Sequence, residues 1–194
     1  MSGADYFNDA AVSLIQPLFG LYILAVMLRF LLQWVHADFY NPLVQFLVKL
    51  TNPPLLPLRR LIPSVRGLDM AAVVLMLGLQ VLELLLVFGL HGQGLSLPGV
   101  LLLALAALFG LLLDVLFWAV IIQAVLSWFN PDFRQPAVRL LYQLTEPVLR
   151  PARRLLPPVA GLDLSPLIVL IVFKLCQMLL IAPLHDWGVL LMSS

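Results

Sequence analysis

The sequence predicts an all-α membrane protein in which four transmembrane helices form two parallel helix-hairpin repeats. Of its 194 residues, 62% are hydrophobic and only 11% are charged, whereas soluble domains carry roughly 25% charged residues. The mean hydropathy is +1.05. So few charges cannot cover a surface exposed to water, and so apolar a chain is not disordered. Each repeat is expected to add an amphipathic helix at the membrane interface and a segment rich in proline and arginine.

Four stretches are long and apolar enough to cross a bilayer, which takes about 20 helical residues. They cover residues 12–35, 68–90, 99–128 and 164–184. The apolar tail after the fourth stretch, HDWGVLLM, either continues that helix or lies at the interface. The first repeat is expected to occupy residues 1–95 and the second residues 96–194. No basic residue precedes the first stretch, so a cleavable signal peptide is not predicted.

Lysine and arginine are concentrated in the two long loops. Nine of the 11 lie either between the first and second spans or between the third and fourth. These nine are Lys49, Arg59, Arg60, Arg66, Arg134, Arg139, Arg150, Arg153 and Arg154. Basic residues favour the cytoplasmic side in loops this short. Both long loops are therefore expected to be cytoplasmic, and both termini are expected to lie on the opposite side.

The two basic loops are copies of each other at an offset of 94 residues. Residues 32–69 and 126–163 share 20 identities in 38 positions, without a gap. The motif positions are Trp34, Pro57, Pro63, Gly67 and Asp69 in the first copy and Trp128, Pro151, Pro157, Gly161 and Asp163 in the second. Each copy crosses the membrane twice, so both have the same orientation, unlike the inverted repeats of many transporters.

Each loop is predicted to contain two different pieces. Apolar residues spaced as on one face of a helix predict an amphipathic helix that lies in the membrane interface. They are Leu43, Phe46, Leu47 and Leu50, with Ala137, Leu140, Leu141 and Leu144 at the matching positions. Asn41 and Pro42 favour a helix start here. The proline-rich stretch that follows is expected to form short turns or one-turn helices, because proline lacks an amide donor and blocks continuation of a helix. Asp69 and Asp163 are expected to cap the next spans.

Six basic side chains of the two loops are expected to face lipid. They are Lys49, Arg59, Arg60, Arg150, Arg153 and Arg154. Apolar residues and prolines surround the paired arginines, so anionic lipid headgroups fit these side chains better than nucleic acid does. The alternative is that they only set the orientation of the chain in the membrane. No nucleic-acid partner is predicted.

The doubled pattern W…DFYNP…LTNPPLLPLRRLIPSVRGLD and W…DFRQP…LTEPVLRPARRLLPPVAGLD resembles the YggT family, also called YlmG. The likeness covers nearly the whole chain. It implies a small protein of the bacterial inner membrane, and the distribution of lysine and arginine then puts both termini in the periplasm. Family members have been linked to osmotic or ion homeostasis, to envelope and division processes and, in plastids, to the biogenesis of membrane complexes. No enzymatic activity is established for the family as a whole.

Four charged residues lie inside the predicted spans, namely Arg29, Glu83, Asp114 and Lys174. A charge at the bilayer centre costs about 3 kcal/mol, so these side chains should face one another or water. Glu83 and Lys174 lie at similar estimated depths, which predicts an ion pair between the second and fourth spans. Arg29 is placed to snorkel toward the headgroups. Asp114 has no obvious partner at its depth.

The intramembrane charges allow two interpretations. They form an ion or proton path, for which Asp114 together with Gln123 is the better candidate, or they fix which spans pack together. A cofactor or metal site is not predicted, because there is one cysteine and the three histidines are scattered on both sides of the membrane. Nucleotide-binding and serine-nucleophile motifs are missing from the sequence, so catalysis is not expected.

Two classes of function follow from the sequence. The first is a non-enzymatic membrane factor whose cytoplasmic surface engages anionic lipid and protein partners. The second is a small ion-conducting or ion-regulating protein that acts through its intramembrane charges. Four spans are few for a pore, so the second class needs an oligomer. The partners expected are the bilayer and either a second copy of the chain or another membrane protein.

Overall fold

The computed structural model describes residues 3–65, 67–92, 94–129, 132–155 and 163–193. Arg66 and the motif positions Pro157 and Gly161 lie outside these ranges. The described chain is helical, as predicted. Its helices are α1 (Gly3–Trp34), α2 (Pro42–Leu61), α3 (Met70–Leu90), α4 (Leu97–Ser127), α5 (Pro136–Leu155), α6 (Ser165–Cys176) and α7 (Ala182–Ser193), with one π-helical turn (Gln177–Ile181) between the last two.

In the described part of the chain, four helical segments are long and apolar enough to cross a membrane, which confirms the predicted number of spans. They are Tyr6–Trp34, Met70–Leu90, Leu97–Ser127 and Ser165–Met192. The bounds of the second and third spans agree closely with the prediction. The fourth span is α6, the π turn and α7 in one continuous helix, so the tail HDWGVLLM is the end of this span.

The first helix begins at Gly3, well before the predicted start of the span at residue 12. Polar contacts with the end of α3 explain the difference. Asn8 Nδ2 donates to the Leu90 carbonyl oxygen at 2.7 Å, and Asp9 Oδ1 lies 3.7 Å from His91 Nε2. Hydropathy alone places the start of the helix after these polar residues. Their side chains bond to the end of the neighbouring helix, which allows α1 to begin earlier.

The two repeats pack as two helix hairpins. In the first, α1 lies against α3; in the second, α4 lies against α6, the π turn and α7. The hairpins meet where α3 packs on α4, and α1 also contacts α4 and α5. Helix α3 makes no contact with α6, the π turn or α7. The core at the junction of the hairpins includes Val26, Leu31, Met76, Leu116 and Val120.

Helices α2 and α5 each run through several prolines. Pro53, Pro54 and Pro57 lie inside α2, and Pro147 and Pro151 lie inside α5. The prediction of short turns or one-turn helices in these segments is wrong. The amphipathic helix and the proline-rich stretch of each loop are one helix.

Contacts with neighbouring groups explain how α2 tolerates its prolines. Pro54 has no N–H to donate to the Leu50 carbonyl oxygen, and Tyr22 Oη donates to that oxygen at 3.4 Å instead. Packing holds the helix as well, because Thr51 and Leu55 are fully buried. Neither effect can be predicted from the loop sequence, because Tyr22 lies on another helix and burial depends on the packing of the whole chain.

The apolar stripes of α2 and α5 differ in their surroundings. On α2, Leu43 and Phe46 are exposed, as expected for a stripe in contact with lipid. On α5, Leu140 and Leu144 are buried, and Leu140 packs in a cluster with Leu32 of α1. The α5 stripe therefore holds α5 to the rest of the protein, and a lipid-facing role is left to the α2 stripe.

Candidate functional site

An arginine–aspartate pair ties the end of each proline-containing helix to the start of the next span. Arg59 Nε donates to Asp69 Oδ2 at 3.1 Å, and Arg59 Nη2 also contacts that oxygen. In the second repeat, Arg153 Nε donates to Asp163 Oδ2 at 2.9 Å. The same bond recurs because each pair is separated by ten residues in the duplicated motif.

Asp69 caps α3, as predicted, whereas the N-cap of α6 is Leu164 and Asp163 bonds to the first residue of that helix from one position earlier. Asp69 Oδ1 accepts from the Ala72 amide at 3.4 Å, and Asp163 Oδ1 accepts from the Ser165 amide at 2.9 Å. A role for both aspartates at the helix starts was predicted from the sequence, but their arginine partners were not. The signal was present, because the arginine and the aspartate recur together in both copies.

The two pairs lie in different environments. The Asp69 side chain is 5% exposed, whereas the Asp163 side chain is 43% exposed. Burial opposes ionisation of Asp163, but the hydrogen bonds from Ser165 and the guanidinium of Arg153 outweigh it and hold the pKa of this carboxyl below its usual range. Arg153 also contacts Glu146 at 3.0 Å. The two pairs thus differ in the aspartate, which is buried in the first and partly exposed in the second, while both arginines are partly exposed.

The other predicted lipid-facing cations, Lys49, Arg60, Arg150 and Arg154, are exposed. They share one end of the molecule with the two arginine–aspartate pairs, because all lie on α2 and α5. We call these four residues the basic surface. Arg59 and Arg153 are bonded to aspartate, and these bonds compete with lipid contact. The predicted lipid contact is therefore best tested by substitutions in the basic surface.

The two loop helices are joined at their N-termini. Asn41 caps α2 by accepting from the Leu43 amide at 2.9 Å, as predicted, and its Nδ2 donates to the Pro136 carbonyl oxygen of α5 at 2.9 Å. Asp38 Oδ2 lies 3.5 Å from Arg139 Nη1. These contacts join the N-terminal ends of the two loop helices across the repeats.

The remaining motif residues lie around these helices. Trp34 ends α1 and Trp128 follows α4, and both are exposed, which is typical of tryptophan at a membrane interface. Pro63 follows α2 and is exposed. Gly67 has a φ of +83°, so the turn that joins α2 to α3 requires a residue tolerant of the left-handed region.

Arg29 does not reach toward the headgroups, so that prediction is wrong. Its residue is 6% exposed, and its Nη1 donates to Thr51 Oγ1 at 2.6 Å, to Asn52 Oδ1 at 2.9 Å and to the Val48 carbonyl oxygen at 3.3 Å. The reason is that α2 packs against α1 at this level and offers three neutral acceptors. At the matching position of the second repeat, Gln123 is buried and bonded to the Thr145 side chain.

The predicted Glu83–Lys174 ion pair is wrong. The two residues lie on α3 and on the fourth span, which do not touch. Each is bonded within its own helix: Gln80 Nε2 donates to Glu83 Oε2 at 2.9 Å, and Lys174 Nζ donates to Gln177 Oε1 at 2.9 Å. Similar depth did not imply proximity, because the hairpins meet through α3 and α4.

Asp114 has a partner that the depth estimate missed. Gln177 Nε2 donates to Asp114 Oδ1 at 2.6 Å, so the Gln177 amide links Asp114 on α4 to Lys174 on α6. Lys174 Nζ also lies 4.8 Å from the centre of the Phe117 ring. We call Asp114, Gln177 and Lys174 the polar triad. Asp114 and Lys174 are exposed on the outside of the hairpin, and Gln177 opens the π turn.

Within the described ranges, no three histidine, cysteine, aspartate or glutamate side chains are grouped so that they could hold a metal ion. The chemistry that the described side chains offer is electrostatic: cations at one end of the molecule, a buried guanidinium beneath them and an amide-bridged acid and base in the membrane.

The comparisons with known proteins place this arrangement in a family. The family model described as CCB3/YggT matches residues 8–90 and again residues 102–184, once in each repeat. The chain belongs to the CCB3/YggT family. It is 45% identical over 176 residues to an uncharacterised protein of Pseudomonas aeruginosa, covering 90% of this chain and 89% of that one.

Two further relatives extend the match to other bacteria. An uncharacterised protein of Vibrio alginolyticus is 42% identical over 86% of this chain and 91% of its own length. The uncharacterised protein YggT of Escherichia coli K12 is 35% identical over 85% of this chain and 86% of its own length. No solved structure matches the chain. The family model thus matches both repeats, each of which contains two of the apolar helices long enough to cross a membrane, and these relatives are uncharacterised.

Proposed function

We propose that this CCB3/YggT protein is a non-enzymatic factor of the bacterial inner membrane whose basic surface contacts anionic lipid and partner proteins. The processes we assign to it are envelope assembly and division or osmotic-stress homeostasis, which the family resemblance implies. The observation that carries the proposal is the basic surface itself, a set of exposed cations on two helices that are joined at their N-termini.

The proposed orientation puts both loop helices in the cytoplasm and both termini in the periplasm. It is supported by the charge asymmetry, since nine of the 11 lysines and arginines lie in the two loops and the other two lie inside spans. Anionic lipid on the cytoplasmic leaflet would then meet the side of the protein that carries the basic surface.

The surroundings of these cations suit a headgroup layer. On α2, Lys49 lies next to the exposed side chains of Phe46 and Leu50. Apolar side chains beside cations are typical of helices that lie at the boundary between headgroups and acyl chains. The exposed apolar neighbours of Lys49 therefore favour a lipid surface over nucleic acid.

Replacing all four residues of the basic surface with glutamine is expected to reduce the anionic lipid that accompanies the protein. Each cation near the surface contributes about 1 kcal/mol, so the ratio of phosphatidylglycerol to phosphatidylethanolamine in the co-purified lipid should fall several-fold. Lipid mass spectrometry of the protein purified from native membranes, at low and high salt, measures this ratio.

The matched control replaces Arg60, Arg150 and Arg154 with lysine, which keeps the charge and removes the guanidinium. This variant should retain the wild-type lipid ratio if electrostatic attraction is the cause. An unchanged ratio in the glutamine variant, with normal insertion, would show that these residues only set orientation.

The polar triad favours a second candidate function, conduction or regulation of ions. Charged side chains inside a membrane span cost free energy, so an acid and a base linked by an amide at this position indicate an ion pathway or a contact with another protein. The triad lies on the outside of the hairpin, so a path through it requires a second copy or another membrane protein on that side.

Potassium or proton flux into liposomes of phosphatidylethanolamine and phosphatidylglycerol tests the second candidate. If the triad conducts, Asp114→Asn should reduce the wild-type flux at least tenfold, because the carboxylate would no longer bind the ion. Asp186→Asn is the matched control, since Asp186 is an exposed acid of α7 outside the triad. Absence of flux in the wild type, or flux that Asp114→Asn leaves intact, contradicts this candidate.

A further inference from the structure

We propose that the first repeat holds a specific site for the phosphate group of an anionic membrane lipid. The site is a groove between α1 and α2 with a volume of about 300 Å³, within the size range of small-ligand sites. Its polar lining consists of Arg29, Gln33, His36 and Arg59, and we call it the Arg29 groove. This inference rests on the proposed function, because it gives lipid contact a defined position separate from the basic surface.

The charge of Arg29 is the first argument. Arg29 is buried, and the acceptors that it reaches in the described chain are all neutral. The Asp69 carboxylate acts electrostatically on Arg29. However, this carboxylate is already bonded to Arg59 and to the Ala72 amide in the first turn of α3. A buried cation without a partner anion is strongly unfavourable, so a bound anion would stabilise this arrangement.

The unused donors of Arg29 are the second argument. Among the described residues, only its Nη1 donates hydrogen bonds, so the N–H groups of Nε and Nη2 are available for a ligand. The planar guanidinium presents these donors in a fork that matches two oxygens of a phosphate. Arg59, which is paired with Asp69, also lines the groove, and Gln33 accepts from its Nη2 at 3.2 Å.

The apolar part of the groove is the third argument, because it distinguishes a lipid from a free ion. Leu32, Val44 and Val48 line the groove beside the two arginines. Arg29 lies five residues before Trp34 on the same helix, about 8 Å deeper than this interfacial tryptophan. A ligand that pairs an anion with an acyl chain therefore fits this groove better than a free ion does, because the arginines lie beside an apolar wall below the interface.

The second repeat provides an internal comparison. Gln123 stands at the position of Arg29, is equally buried, and its amide oxygen accepts from Thr145 Oγ1. The repeat fold therefore does not need a cation at this position. The extra charge in the first repeat is explained by a ligand that only this repeat binds.

The test counts lipids bound to the purified chain by native mass spectrometry. Protein stripped of loose lipid by detergent is titrated with dioleoylphosphatidylglycerol, with dioleoylphosphatidylcholine as the uncharged-headgroup comparison. The wild type should retain one phosphatidylglycerol preferentially. Arg29→Gln, which copies the second repeat, should weaken this binding at least tenfold, whereas the glutamine variant of the basic surface should keep it.

Inorganic phosphate separates the two sources of a phosphate group. If millimolar phosphate displaces the bound phosphatidylglycerol, the site recognises the phosphate alone; if it does not, the acyl chain is needed as well. Binding of phosphatidylglycerol by Arg29→Gln within twofold of the wild type overturns the inference. Loss of binding in the basic-surface variant alone would place the lipid on the surface and would also overturn it.

A second variant keeps the test decisive if Arg29→Gln does not fold. Arg29→Lys keeps the charge but cannot bond to α2 and to a phosphate with the same fork, so it should bind phosphatidylglycerol with reduced affinity. Thermal unfolding of the wild type supplies an independent measurement: phosphatidylglycerol should raise the midpoint more than phosphatidylcholine does, and equal shifts contradict the site.

Discussion

Replacing Asp69 with alanine is expected to lower the stability of the protein in detergent by about 2 kcal/mol, because the variant loses a helix cap and a charge-assisted hydrogen bond from a partly exposed arginine. Asp69 is almost completely buried, and its two oxygens bond Arg59 and the first turn of α3. Its loss leaves the Arg59 guanidinium without a counter-charge and the start of α3 without its cap. The midpoint of thermal unfolding, followed by the fluorescence of the tryptophans, measures the effect.

The second repeat supplies the matched control. Asp163→Ala removes the matching two contacts, a bond to the Ser165 amide and a bond to Arg153, but from a half-exposed site. Exposed pairs contribute 0–1 kcal/mol and caps about 1 kcal/mol, so this variant should lose roughly half as much stability or less. Equal losses in the two repeats would mean that burial does not govern these pairs.

Gly188→Val is expected to separate the two helices of the second hairpin. Gly188 is buried against α4, and a Cβ added to it would lie 2.7 Å from the Leu103 side chain and 3.3 Å from the Leu103 amide nitrogen. Small residues at such positions allow membrane helices to approach closely. Overpacking costs about 1–3 kcal/mol, so the unfolding midpoint should fall clearly.

Gly78→Val is the control for Gly188→Val. Gly78 lies inside α3, and a Cβ there would meet nothing within 4 Å. The same change of residue type should therefore leave the unfolding midpoint nearly unchanged. A loss at Gly78 as large as at Gly188 would mean that helix propensity, rather than the contact with Leu103, causes the effect.

The sequence predicted the helices more fully than it predicted their ends. The four spans followed from hydropathy, because each apolar stretch is long enough by itself to require a helix in lipid. The start of α1 and the continuity of α2 did not follow. Both depend on bonds to another helix, from Asn8 to Leu90 and from Tyr22 to Leu50.

The candidate site was predicted in the same uneven way. The positions of Asp69 and Asp163 at the helix starts and the partner positions of the duplicated motif are local features, so the sequence was enough to place them. Arg29 was predicted to reach toward the headgroups and Glu83 was given the wrong partner, because depth in the membrane was the only available coordinate. Two residues at equal depth on helices that do not touch cannot interact, and hydropathy gives no information about which helices are neighbours.

By itself, the sequence determined the class of protein, the number of spans and the parallel duplication. These properties depend on the free energy of apolar segments in lipid and on identity between two segments, and neither requires knowledge of packing. Only the tertiary structure decided that α3 packs on α4, that α2 covers Arg29 and that Gln177 links Asp114 to Lys174. The physical reason is that apolar helix faces pack with many partners at similar energy, so the choice among neighbours is made by side-chain contacts distributed over the whole chain.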